Sequence, residues 1–208
     1  MIYLSDDYLT KYIDVLGYLF SRSISEGHSF PYIEKRISYS EMVEELERSD
    51  ITTIAFSSME KIYRNIFPEF DNNNFIYNPY DEFGWASYIY IHLFIKYQIT
   101  FEVLFMIIPL KKMLSLYKIY HEMDINQMYS FFQESIEFSY FDNIVKYRKI
   151  SSKQLSLKSG VSFSTIASLR FSKRDISKLE AMKLYNLATV LKIKISSLLP
   201  NLELKLQY

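Results

Sequence analysis

The sequence predicts an all-α fold in two parts, and three observations predict it. Only 4 glycines and 5 prolines punctuate 208 residues. Apolar residues recur mostly with the 3.6-residue period of a helix, not the alternation of a strand. The charge also changes sign along the chain. Residues 1–140 hold 11 Lys and Arg against 20 Asp and Glu, a balance of −9, and residues 141–208 hold 13 against 4, a balance of +9. The formal net charge of zero therefore conceals an acidic N-terminal domain, 1–140, and a basic C-terminal domain, 141–208.

The helices of the first part follow from their caps and apolar faces. Asp6 is placed to cap a helix with Tyr8, Leu9, Tyr12, Ile13, Leu16 and Phe20 on one face. Gly27 to Pro31 breaks the chain. A second helix is expected from Ser38 to Glu47, capped by Ser38 or Ser40 and burying Met42, Val43 and Leu46. A third is expected from Met59 to Phe67, capped by Ser57 or Ser58 and stopped by Pro68. Asp71 to Asn74 reads as a loop, and the Asn-, Pro- and Tyr-rich stretch to Asp81 continues it. Glu82 to Tyr97 forms the fourth helix, and Thr100 caps a fifth through Ile108. Pro109 occupies a helix-start position before Leu110 to His121, and Asp124 caps a helix reaching about Phe138.

Residues 1–140 hold 16 Tyr, 13 Phe and the single Trp. Rings at this density supply a large core, and equally a partner-binding surface or an apolar ligand pocket. Trp85 to Leu110 is the longest apolar region, but His92, Lys96, Gln98 and Glu102 interrupt it, as do Thr100 and Pro109. A membrane-spanning helix needs about twenty nearly uninterrupted apolar residues, so a buried helix pair is expected instead. The periodic residues Val43, Leu46, Ile51 and Ile54 flank a turn, Arg48 to Asp50, that has no glycine and lies among acidic residues, which disfavours a phosphate-facing role.

The second part has a denser motif, Ser152 to Leu169. Leu155, Val161, Ile166 and Leu169 are spaced as the positions two crossing helices must bury, Ser156 is small enough for close approach, and Gly160 falls where the chain must turn sharply. This pattern resembles the Cro/CI-type helix-turn-helix domain family. The likeness covers about residues 141–200: Ile166 to Asp175 is similar to the family's third helix and following loop, and Leu184 to Leu199 to its fourth and fifth helices. The resemblance implies a five-helix domain whose third helix enters the major groove of double-stranded DNA. Carried over by position, it makes Phe163, Ser164 and Ser168 base-facing, Ser162 the cap of that helix, and Thr165 and Ser152 contacts to phosphate, with Lys153, Arg170, Lys173 and Arg174 supplying charge. Two departures stand out. The long amides and arginines that make bidentate base contacts are missing at the start of the third helix, and Ser172 replaces the family's usual glycine.

The chain has no cysteine, which excludes disulfides and thiolate metal sites and suits a reducing cytoplasm. Asp6 and Asp7 stand where a signal peptide would carry positive charge. His28, His92 and His121 lack ligand-type spacing, and four glycines leave no phosphate-cradling loop or nucleophile elbow, so neither catalysis, metal nor cofactor is expected. The expectation is a cytoplasmic, homodimeric DNA-binding transcriptional regulator of bacterial or phage type, whose acidic domain dimerises or senses a partner. The alternative is an antitoxin-like or phage-inhibitor protein-interaction module whose basic domain autoregulates or is vestigial. A small-molecule-responsive repressor would further need a closed aromatic pocket in residues 1–140.

Overall fold

The computed structural model describes residues 5–48, 50–69, 75–97, 99–135, 140–171 and 173–199. The expected loop at Asp71 to Asn74, the helix end near Phe138, Ser172 and the residues from Pro200 onward lie outside them. Among the described residues the chain is all helical, with no strand. The helices are α1 (Asp6–Ser25), α2 (Phe30–Ser38), α3 (Glu41–Glu47), α4 (Thr52–Phe56), α5 (Met59–Ile66), α6 (Glu82–Tyr97), α7 (Phe101–Ile107), α8 (Leu110–Tyr120), α9 (Ile125–Ser135), α10 (Tyr140–Tyr147), α11 (Ser152–Ser159), α12 (Phe163–Arg170) and α13 (Ala181–Leu191). Short 3-10 turns follow at Ile176–Lys178 and Ser196–Leu198.

The long helices α1 and α6 pack along each other as the spine of the N-terminal part. Tyr12, Leu16, Leu19 and Phe20 from α1 and Ile89, Tyr90 and Leu93 from α6 are buried. Phe20, Tyr90 and Phe105 meet edge to face, with Tyr90 and Phe105 centroids 4.9 Å apart. The Tyr90 hydroxyl donates to the Ile108 carbonyl at 2.5 Å. Buried Glu34 on α2 accepts the Leu110 N–H at 2.7 Å and so caps α8 from a distance, while its burial raises the carboxyl above its ordinary value.

Several helix starts differ from the sequence reading, for local reasons. Asp6 is the first residue of α1, with Ser5 at the cap position, so Asp6 and Asp7 favour the helix through its dipole rather than by capping. Helix α2 occupies the expected break, because Pro31 falls in its first turn, where a missing N–H costs nothing. Ser38 therefore ends α2, and Ser40 caps α3 by accepting the Val43 N–H at 3.3 Å. Ser58 likewise caps α5 through the Lys61 N–H at 3.2 Å. The short α4 was not anticipated; Asp50 and Glu45 hold its first turn through Thr52 and Thr53. Thr100 sits at the cap position of α7, but its hydroxyl bonds no amide there and lies 2.9 Å from Ser197 Oγ.

Among the described residues no single helix is long and apolar enough to cross a membrane. Helices α6 and α7 pass together by length and composition, and they are bent by 113° at their junction.

Gly84 lies where α6 begins under residue 79: a Cβ there would stand 1.9 Å from the Pro79 carbonyl oxygen and 2.6 Å from its carbon. Gly84→Ala should therefore cost at least about 3 kcal/mol and lower Tm by roughly 6–12 °C. Gly27→Ala, in open space at φ 83°, should cost only about 1 kcal/mol. Thermal melts followed by circular dichroism compare the two; equal losses would show that the Pro79 segment yields freely.

Candidate nucleic-acid interface

Local hydrogen bonding fixes both helices of the α11–α12 pair. Ser151 and Gln154 form a reciprocal capping box at the start of α11, with both bonds at 3.2 Å. Gly160 ends α11 at φ 70°, a left-handed conformation that favours glycine. Ser156 Oγ donates to the Val161 carbonyl at 2.7 Å and closes the turn. Ser162 then caps α12 by accepting the Thr165 N–H at 3.2 Å. Leu155, Val161, Ile166 and Leu169 are all buried, and Asn186 of α13 donates to the Ser159 carbonyl at 3.1 Å.

The residues singled out from the sequence separate into two groups. Ser162, Phe163 and Ser164 are exposed together at the start of α12, and Phe163 keeps 57% of its surface accessible. Ser162 Oγ donates to Thr165 Oγ1 at 2.9 Å and lies 3.1 Å from Ser164 Oγ. The exposed Arg174 reaches the same corner, its Nη1 3.4 Å from Thr165 Oγ1. Lys153 and Lys173 are exposed, while Ser168 is half-buried and its carbonyl accepts the Lys173 N–H at 2.8 Å.

Arg170 and Ser152 belong to the second group. The Arg170 Nε donates to the buried carboxylate of Asp142, and its Nη1 donates to Ser152 Oγ at 2.7 Å. Lys146 approaches the same carboxylate at 3.2 Å. Arg170 is thus a tie between α10, α11 and α12 rather than a solvent-facing charge, because burying Asp142 leaves an anion that needs a matched donor. Asp142 was missed by sequence reasoning, since its partner lies 28 residues away. Also missed were the exposed side chains of Leu157, Phe171, Met182 and Tyr185 on the same C-terminal helices.

Among the described residues no three His, Asp or Glu side chains gather as a metal-holding group. His28 stacks on Phe67 with centroids 5.4 Å apart, His92 lies beside Tyr88 with burial lowering its pKa, and the His121 Nδ1 lies 2.8 Å from the Tyr117 carbonyl. Comparison with protein-family models, with curated proteins and with solved structures returns no match.

Removing Arg170 strands the buried Asp142, so Arg170→Ala should lower stability by about 2–3 kcal/mol. Lys173→Ala and Arg174→Ala should stay within about 0.5 kcal/mol of the parent. Urea unfolding measures all three; an Arg170→Ala protein as stable as the lysine variant would show that the tie carries no weight.

Proposed function

We propose that the chain is a DNA-binding transcriptional regulator that works as a homodimer, presenting the start of α12 to the major groove of double-stranded DNA. One observation carries this reading: an exposed helix start, Ser162 to Ser164, capped through the Thr165 N–H, lies beside Arg174 within a segment of net charge +9. Lys153, Lys173 and Arg174 supply phosphate contacts. Ser152 accepts from Arg170, which leaves its own O–H to donate to a phosphate oxygen. Ser162 and Thr165 hold the helix start in shape, and Phe163, Ser164 and Ser168 meet base edges. Phe163 presses on thymine methyl groups, which discriminates less than a bidentate arginine or amide.

Phosphate contacts made in this way carry most of the affinity. Fluorescence anisotropy with a duplex from the flanking promoter region should show Kd rising about 10³-fold between 50 and 200 mM salt, as about six phosphate contacts from two copies require. The double variant Lys173→Glu, Arg174→Glu removes two contacts from each copy and should reduce the salt slope by roughly 4. The absence of salt-sensitive binding to any duplex would sink the proposal.

One observation favours the second reading, a protein-interaction module of antitoxin-like or phage-inhibitor kind. Leu157, Phe163, Phe171, Met182 and Tyr185 are all more exposed than buried, and apolar side chains of this size suit a protein partner. An adjacent small toxin-like reading frame whose product co-purifies with the chain would support that reading.

A further inference from the structure

The polar groups joining the N-terminal helices to the C-terminal ones converge on Glu102 of α7, which is only 7% exposed. Its Oε1 accepts from Tyr39 Oη at 2.7 Å and from Arg148 Nη2 at 3.2 Å. Its Oε2 accepts from the Lys194 N–H at 3.2 Å and from Ser197 Oγ at 3.1 Å. A carboxylate offers about four acceptor positions, and four donors use them.

Three of these donors come from the C-terminal part, and from two separate places in it. Arg148 immediately follows α10, whereas Lys194 and Ser197 follow α13. Arg148 Nη2 also donates to the Lys192 carbonyl at 2.9 Å, and the Tyr140 hydroxyl at the start of α10 donates to the Ser197 carbonyl at 2.8 Å. Lys192 holds a left-handed φ of 54°, a conformation that is unfavourable for lysine without such support. One carboxylate therefore draws the two ends of residues 140–199 together and fastens both to α7. Lys194 Nζ adds a bond to the Ser38 carbonyl at 3.0 Å and lies 3.6 Å from Glu44 and 3.8 Å from Glu47.

We propose that Glu102 is a lock that sets the orientation of residues 140–199 on the N-terminal helices, and that Tyr39 is its handle. Tyr39 is 46% exposed, yet its hydroxyl touches the buried carboxylate, so a contact made outside reaches the lock through one hydrogen bond. The Lys194 ammonium also lies 5.1 Å from the centroid of this ring, so displacing Tyr39 disturbs two of the groups around Glu102 at once. This inference does not depend on DNA binding.

Amide hydrogen exchange on the full chain tests it. Glu102→Gln keeps the volume but turns an NH2 group toward donors. It should accelerate exchange in peptides covering 144–150 and 192–199 by about tenfold, with the peptides of α1 and α6 unchanged. Tyr39→Phe removes only the handle's bond and should accelerate the same peptides about threefold. A uniform acceleration across the chain would overturn the lock, because Glu102 would then support global stability alone. No change in either variant would overturn it too. If Glu102→Gln fails to fold, Tyr39→Phe decides by the same pattern: local acceleration supports the lock, and uniform or absent change refutes it.

Discussion

Burying a carboxylate removes it from water at a cost of several kcal/mol, which only close donors can offset. Glu102 meets that requirement with a phenol, a guanidinium, a backbone amide and a hydroxyl. Because these donors come from α2's end, α10's end and the turn after α13, satisfying one charge fixes the relation of three distant segments. Apolar packing of α10 on α7 and α12 supplies contact area there, but area is non-directional. The directional bonds select one arrangement from the many that would bury similar surface.

The same logic recurs at smaller scale. Asp142 is satisfied by Arg170 and Lys146, Glu34 by the first amide of α8, and Glu45 by Thr53. In each case a buried acidic group terminates or positions a neighbouring helix. Arg22 is the converse: a cation buried among Tyr18, Tyr63 and Phe75, paired with Glu26 at 3.0 Å and Glu60 at 3.4 Å. The acidic surplus of residues 1–140 is thus partly internal, consumed in holding helices.

Features encoded within about four residues were legible in the sequence, and those encoded across tens of residues were not. The span of α6, the cap Ser162, and the buried set Leu155, Val161, Ile166 and Leu169 follow from local spacing, which narrows the caps of α3 and α5 to two serines each, of which Ser40 and Ser58 serve. Helix α2 escaped because proline reads as a breaker unless its place in the first turn is known. Helix α4 has five residues, too few to display a period. Glu102 was visible only as an interruption of an apolar run; its donors lie 46 to 95 residues away. Thr100 has the local sequence context of a cap and occupies that position, but its hydroxyl is engaged by that of Ser197, 97 positions on, and not by an amide of α7.

Phe163, 57% exposed at a capped helix start, gains little from the fold, since less than half of its surface is buried there. In the proposed reading it meets DNA but specifies little, because an apolar contact to a methyl group discriminates weakly between sequences. Lysine and arginine contacts to phosphate add affinity without adding choice. In that same reading selectivity comes from the spacing between two copies of α12, and so from how each C-terminal part sits on its N-terminal helices. That relation is the one Glu102 constrains. A buried carboxylate far from any base would, on this argument, influence which sites are bound more than the side chains that touch them.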